Sequence, residues 1–273
     1  MRKTKQKKIS TRVKIIVAVT ALAMFLCTLT VIYMVLGSYD GLGLRQTIPE
    51  NPYDMSHVYE KNGFLHYDDG TYQSVTGIDV SVYQKDVDWD KVKGAGVDFA
   101  MIRVGYRSYE EEGDLALDSK FKENLKGAKK AGLDVGVYFF SQAKNTTEAI
   151  REARFVIRHI RGKGVTYPVV FDMEPIDGAD RITDLNAEDK TEIADAFCQV
   201  IDRNGYTPMI YGNPQWLNKH VNLEYLTKYD TWLAHYTDET DYPYAFQMWQ
   251  YSQTGKVDGI KGHVDLNMYF IKS

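Results

Sequence analysis

Cysteine is nearly absent, with two in 273 residues, which excludes a disulfide framework and a cysteine-built metal site. The two do not pair, because Cys27 lies in an apolar run near the start and Cys198 in a later amphipathic segment. Cys198, within Ala196-Phe197-Cys198-Gln199-Val200, reads as a small buried apolar residue. Cys27 follows Met24-Phe25-Leu26, which lacks the small residues that lipid attachment would want. The six histidines form no close ligand pair, so neither a metal nor an organic cofactor is expected. Basic charge is scarce beyond the first 14 residues: seven of the 33 Lys+Arg are Arg2, Lys3, Lys5, Lys7, Lys8, Arg12 and Lys14, and the remainder face 37 Asp+Glu, a formal −11. That balance excludes nucleic acid as a partner. An anionic polymer would have to be held by local stacking and hydrogen bonds rather than by a broad field.

Long apolar runs are limited to one. Residues 15–36, IIVAVTALAMFLCTLTVIYMVL, carry no charge and are long enough to cross a bilayer as a helix. The basic residues 1–14 would stay in the cytoplasm, with everything after residue 36 outside. A cleaved signal peptide would usually have a shorter apolar core, and Gly37-Ser38-Tyr39-Asp40 offers no small-x-small cleavage pattern. Residues 37–73 show no sustained period and are rich in Gly, Tyr, Asp and Asn, as in Tyr67-Asp68-Asp69-Gly70, so they read as a linker.

From about residue 74 to 273 short apolar runs alternate with amphipathic ones. Strands are expected at 77–80, 99–104, 135–140, 168–172, 208–211, 231–236, 245–251 and 264–270, and helices at 89–93, 119–130, 146–161, 187–203 and 223–228. Gly96, Gly132 and Gly205 stand where left-handed C-caps hand over to strands, and Asn145 and Asn186 where N-caps belong. Such alternation predicts an α/β fold with a largely parallel sheet. Eight strands favour a closed, modified TIM-like barrel whose last strands are poor in helices. The alternative, an open doubly wound sheet, lacks a Gly-rich loop after its first strand.

The densest chemistry is Phe171-Asp172-Met173-Glu174-Pro175. On an extended strand Asp172 and Glu174 share a face, roughly 7 Å apart at Cα. Like charges so close cannot both ionise cheaply, which lets one carboxyl stay protonated and serve as a general acid. Turn or cap duty is the bland alternative for an isolated pair. Barrel enzymes, however, collect functional groups at the C-terminal ends of strands, and Asp79 ends the first candidate strand while Asp265 lies in the eighth. Arg103, amid apolar neighbours in the second strand, would face this cluster or snorkel to solvent. Tyr138, Tyr211, Tyr236 and Trp249, at other strand ends, would wall a groove or pack in the core. Carboxyl groups framed by aromatics suit a carbohydrate better than a phosphate ester.

Gly77-Ile78-Asp79-Val80-Ser81, Ile102-Arg103-Val104-Gly105-Tyr106, Phe171-Asp172-Met173-Glu174, Ile210-Tyr211-Gly212, Trp249-Gln250-Tyr251-Ser252 and Val264-Asp265-Leu266-Asn267 resemble, in order, the motifs of glycoside hydrolase family 25, the Chalaropsis-type lysozymes or N-acetylmuramidases. The resemblance spans about residues 76–270. It implies a modified barrel of five β/α units followed by strands. It also implies cleavage of the β-1,4 bond between N-acetylmuramic acid and N-acetylglucosamine in peptidoglycan glycan strands. Glu174 matches the family's general acid, Asp172 the carboxylate that supports the acetamido group or the developing cation, and Asp79 and Asp265 two further pocket acids. Tyr83 stands where many members carry Trp. The expectation is a membrane-anchored muramidase, with a silent wall-binding module or a structural part of an envelope assembly as alternatives.

Overall fold

The computed structural model of the protein describes residues 44–273 except 177, 179 and 180, together with Thr20, Met24 and Thr28, which are helical. The basic tail expected at 1–14, and all but those three positions of the apolar run at 15–36, lie outside the described residues. Among the described residues no helix is long and apolar enough to cross a membrane. Leu44–Ser273 form one compact unit.

All eight expected strands form. They are β3 (Tyr72–Val80), β4 (Phe99–Arg107), β6 (Asp134–Phe140), β7 (Val169–Asp172), β8 (Pro208–Gly212), β9 (Asp230–Ala234), β10 (Met248–Gly255) and β11 (Val264–Lys272); ahead of them come β1 (Val58–Lys61) and β2 (Phe64–Tyr67), and β5 (Leu115–Leu117) follows β4. The barrel order is β3, β4, β6, β7, β8, β9, β10, β11, closed by pairing of β11 with β3. Neighbours from β3 to β10 run parallel, whereas β11 is antiparallel to both β10 and β3. The helices are α1 (Trp89–Gly94), α2 (Phe121–Lys130), α3 (Thr146–Ile160), α4 (Ala187–Arg203) and α5 (Pro214–Lys219). The chain thus makes five strand–helix units and then three strands.

Side-chain alternation divides the apolar residues into two cores. Phe99, Met101, Val170, Met209, Trp232 and Met248 fill the barrel interior. Ala100, Ile102, Val169, Phe171 and Ile210 point outward and join the larger core under the helices. Two glycines make room for the interior plug: a Cβ at Gly77 would lie 2.1 Å from the Phe99 ring, and one at Gly136 2.4 Å from the Met101 sulfur. Asn145 and Asn186 cap α3 and α4 by accepting from the Glu148 and Asp189 amides. Gly96, Gly132 and Gly205 adopt φ of 101°, 81° and 77°, as their places before strands require. Cys198 is fully buried.

Two expectations need correction. The helix expected at 223–228 is a single 3-10 turn, Leu223–Tyr225, and the helix lies earlier, where Asn213 caps α5 and Pro214 takes its first turn. Residues 44–73, expected as linker, belong to the folded unit. β1 and β2 form a hairpin, and Tyr53 stacks on Phe270 of β11 with centroids 3.9 Å apart. Aromatic burial is the cause: Tyr53, Phe64 and Tyr67 are all buried, and together they cover one side of the barrel.

Candidate active site

The end of the barrel where β3, β4, β6, β7 and β8 finish opens into a pocket of about 250 Å³, lined by Asp79, Arg103, Tyr138, Asp172, Glu174, Tyr211, Tyr236, Gln250 and Asp265 among others. Asp265 reaches this end because β11 runs backwards. It lies at the start of its strand, directly opposite Asp79 near the end of β3. Asp172 is the last residue of β7, while Glu174 lies just beyond the strand. The pair therefore shares the pocket, although only its first member belongs to the strand.

Hydrogen bonds fix the floor. Asp79 Oδ2 accepts from Gln250 Nε2 and Asn267 Nδ2, both at 2.8 Å. Gln250 Oε1 accepts from the Tyr211 hydroxyl at 2.9 Å and the Tyr236 hydroxyl at 3.0 Å. Trp232 Nε1 donates to Asn267 Oδ1 at 2.9 Å. Asp172 is different: its Oδ1 is buried with no hydrogen-bond partner. Glu174 is held through its backbone, whose carbonyl accepts from Gln142 Nε2 at 2.8 Å. Behind that loop lies a buried ionic network. Arg107 Nε meets Glu152 Oε1 at 2.6 Å, Ser141 Oγ donates to Glu152 Oε2 at 2.7 Å, and Arg181 Nε donates to the Gln142 carbonyl at 2.8 Å.

The four acids are all shifted upward. Burial, then the charges of Asp265 and Glu174, raise Asp79 well above the usual carboxylate range, against the hydrogen bonds from Asn267 and Gln250. Burial, then Glu174 and Asp79, raise Asp172, with Arg103 opposing. Burial and Asp265 raise Glu174, and burial raises Asp265 to about 6. Closely packed carboxyls that cannot all ionise give a site able to hold a proton at neutral pH. Among the described residues, no three acid, histidine or cysteine side chains are placed to hold a metal ion.

Eight of the nine residues singled out in the sequence, Glu174, Asp172, Asp79, Asp265, Tyr138, Tyr211, Tyr236 and Arg103, converge on this pocket. Arg103 spends its charge on Asp118, at 2.8 Å, and lies over the rings of Tyr83 and Tyr106 at 5.1 and 5.6 Å. Trp249 does not join them. It is completely buried in the outer core and donates its indole N–H to the His235 carbonyl at 2.8 Å. Alternation explains this, because Met248 and Gln250 point inward and Trp249 therefore points out. The aromatic floor is instead Trp232. Gln250, Asn267 and Gln142 were missed; the first two stand two residues from Met248 and Asp265, at the same-face spacing that would have found them.

A barrel mouth carrying four carboxyls shifted upward among tyrosines is equipped for glycoside hydrolysis. The chain belongs to glycosyl hydrolases family 25, whose family model matches residues 78–260, and is a glycoside hydrolase. Lysozyme M1 of Streptomyces globisporus is 30% identical over 206 residues, covering 71% of this chain and 67% of that protein. The bacterial lysozyme of Streptomyces coelicolor superposes with a TM-score of 0.60 at 26% identity, over 74% of this chain and 93% of that one. The modular autolysin LytC of Streptococcus pneumoniae, solved with a synthetic peptidoglycan ligand, shares the fold at a TM-score of 0.63 and 22% identity. That match covers 78% of this chain, which spans about half of LytC (52%).

Proposed function

We propose that the domain is a peptidoglycan muramidase that hydrolyses the β-1,4 bond between N-acetylmuramic acid and N-acetylglucosamine, tethered to the outer face of a membrane by residues 15–36. The observation that carries the chemistry is the acid pocket with the unpartnered Asp172 Oδ1. Family membership and the likeness to Lysozyme M1 support the substrate, and the uncharged run behind a basic tail supports the tether.

Protonated Glu174 donates its proton to the glycosidic oxygen as the C–O bond breaks and positive charge develops on the muramic acid ring. Burial and Asp265 keep that proton in place before substrate arrives. Asp172 acts as the ionised partner. An acetamido N–H arriving with the sugar would satisfy Oδ1, which favours the carboxylate and orients the acetamido oxygen to attack the anomeric carbon. Glu174, now ionised, takes a proton from the water that resolves this intermediate. Both acids reach the pocket from one strand end, so the nucleophile in this reading is the acetamido oxygen rather than a second enzyme carboxylate, and the configuration is retained. Asp79, held by Gln250 and Asn267, and the tyrosines shape the subsite.

The full-length protein should release reducing ends from peptidoglycan, and Glu174→Gln should abolish that release while leaving wall binding intact. A fully active Gln variant would overturn the assignment, and binding without release by the native protein would make the domain a silent wall-binding module. Early product should be the β-anomer by NMR; early α-anomer would replace retention with inversion.

A further inference from the structure

The opposite end of the barrel carries a feature the reaction does not use. α3 and α4 run from the mouth toward this end, and their C-terminal halves border a groove of about 580 Å³ lined by Arg154, Arg158, Arg161, Arg203 and Asn204. Spacings of four and three along α3 put three of these arginines on one face, and all four are exposed. Among the described residues, the arginines that meet carboxylates are Arg45, Arg103, Arg107 and Arg181, and none of the groove's four is among them. Arg161 donates to Asn204 Oδ1 at 3.0 Å and Arg203 to Gln199 Oε1 at 2.8 Å, so neutral acceptors orient these guanidiniums without cancelling their charge. Helix dipoles favour a cation in the last turn of each helix. They do not ask for four facing one groove, nor for Arg154 two turns from the end of α3.

The groove is continuous with the place where the chain enters the domain. Arg203 also lines a neighbouring groove with Lys228, Tyr229 and Asp230. Tyr229 and Asp230 line the next one with Ile48, Pro49 and Pro52. The N-terminal segment therefore arrives on the same end of the barrel as the arginines, away from the pocket.

We propose that this face docks on anionic phospholipid headgroups, the arginines binding phosphate oxygens, so that the mouth points away from the membrane. The proposal rests on the tether proposed above. Charge complementarity selects the face: beyond residue 14 the chain is formally −11, yet this groove gathers four arginines with no carboxylate partner among the described residues. Only groups within about a Debye length, ~8 Å at physiological salt, contribute.

The test uses the full chain in nanodiscs of phosphatidylcholine alone or with one-quarter phosphatidylglycerol, with arginine modification by phenylglyoxal mapped by mass spectrometry. Arg154, Arg158, Arg161 and Arg203 should react about fivefold or more slowly in the anionic discs, and about 0.5 M salt should restore their rates. Acetylation of Lys85 and Lys144, exposed on mouth loops, should be equal in both. The double variant Arg154→Glu/Arg158→Glu should lose protection at Arg161 and Arg203 while cleaving soluble glycan fragments normally. Equal modification in both discs overturns docking, as does protection by soluble poly(glycerol phosphate) with none from the anionic discs, which would indicate a wall phosphate polymer. Co-elution with neutral discs reports the tether separately. A chain that co-elutes without protection keeps the tether and loses the docking, and one that associates with neither disc loses both.

Discussion

Replacing Gln142 with methionine would delete one hydrogen bond and leave every carboxyl group of the pocket in place. Gln142 Nε2 donates to the Glu174 carbonyl at 2.8 Å, while its own Oε1 is buried without a partner. Glu174 lies past the end of β7, where no ladder bond holds it, so this contact is what ties its backbone to the β6–α3 loop. A typical intramolecular hydrogen bond is worth about 0.5–1.5 kcal/mol, and an orphaned carbonyl adds about 1–3 kcal/mol. Removing the unpartnered Oε1 offsets part of that. A net cost of about 1–2 kcal/mol corresponds to a fall of about 2–8 °C in Tm for a unit of this size. The kinetic cost is larger, because a misplacement of about 1 Å costs about 100-fold in rate. With soluble glycan fragments as substrate, kcat should fall about 10- to 100-fold while KM stays within about threefold, the pattern of a lost transition-state contact. Gln142→Glu should be poor near neutral pH and recover toward acid pH, because a protonated carboxyl donates again. A methionine variant with native kcat refutes the positioning role, and so does a loss of activity that merely follows unfolding.

Asp265→Asn removes a charge that raises Glu174, so the alkaline limb of the pH–rate profile, where the general acid loses its proton, should move to lower pH; an unmoved limb would remove Asp265 from the proposed proton balance. The same change should stabilise the domain. Asp265 is raised in the fold to about 6, so ionising it opposes folding as pH rises from about 4 through about 6; at about 1.4 kcal/mol per pKa unit the gain is at most about 3 kcal/mol, present at pH 8 and absent at pH 4 in urea melts. Glu152→Ala strands the buried Arg107 guanidinium and should cost about 3 kcal/mol, whereas a cost below about 1 kcal/mol in the same melts would mean Glu148 replaces it. Tyr53→Ala empties a site stacked on Phe270 and flanked edge-on by Tyr67, Tyr72 and Phe246, which should cost about 3 kcal/mol with kcat unchanged; an unchanged melt would return residues 44–57 to the status of linker.

The barrel was legible because its strands are buried on both sides and read as apolar runs, and because Asn145, Asn186 and three glycines punctuate the helices where capping chemistry requires. What escaped had weaker local signals. The β1–β2 hairpin turns at Asn62-Gly63, both left-handed with φ of 55° and 81°, which is the favoured pair for a two-residue hairpin. Its flanking Val58-Tyr59-Glu60-Lys61 is too polar to announce itself, and the burial of Tyr53 depends on β11, more than 200 residues away. Trp249 was misplaced because a strand's period fixes which residues share a face and not which face is inside. The reversed direction of β11 has no signature in the sequence, yet it decides the site, because only an antiparallel last strand brings its first residues to the mouth.

That reversal also separates the two central acids. Asp79 and Asp265 are direct cross-strand partners, an arrangement that opposes like charges and destabilises a sheet. The barrel tolerates it through the hydrogen bonds from Gln250 and Asn267 to Asp79 and through protonation of the cluster. Burial raises both Asp172 and Glu174, and neighbouring acids raise each further, Glu174 and Asp79 acting on Asp172 and Asp265 on Glu174. What differs between them is a cation: Arg103 opposes the rise at Asp172, and nothing opposes it at Glu174. The ionised form proposed for Asp172 therefore draws on Arg103 together with the acetamido N–H proposed to meet its Oδ1, because burial and the neighbouring acids oppose it. The cation comes from β4 and the acid beside Glu174 from β11, the two strands that flank β3. The division of labour proposed for Asp172-x-Glu174 is therefore a property of barrel closure, and it cannot be read from those three residues alone.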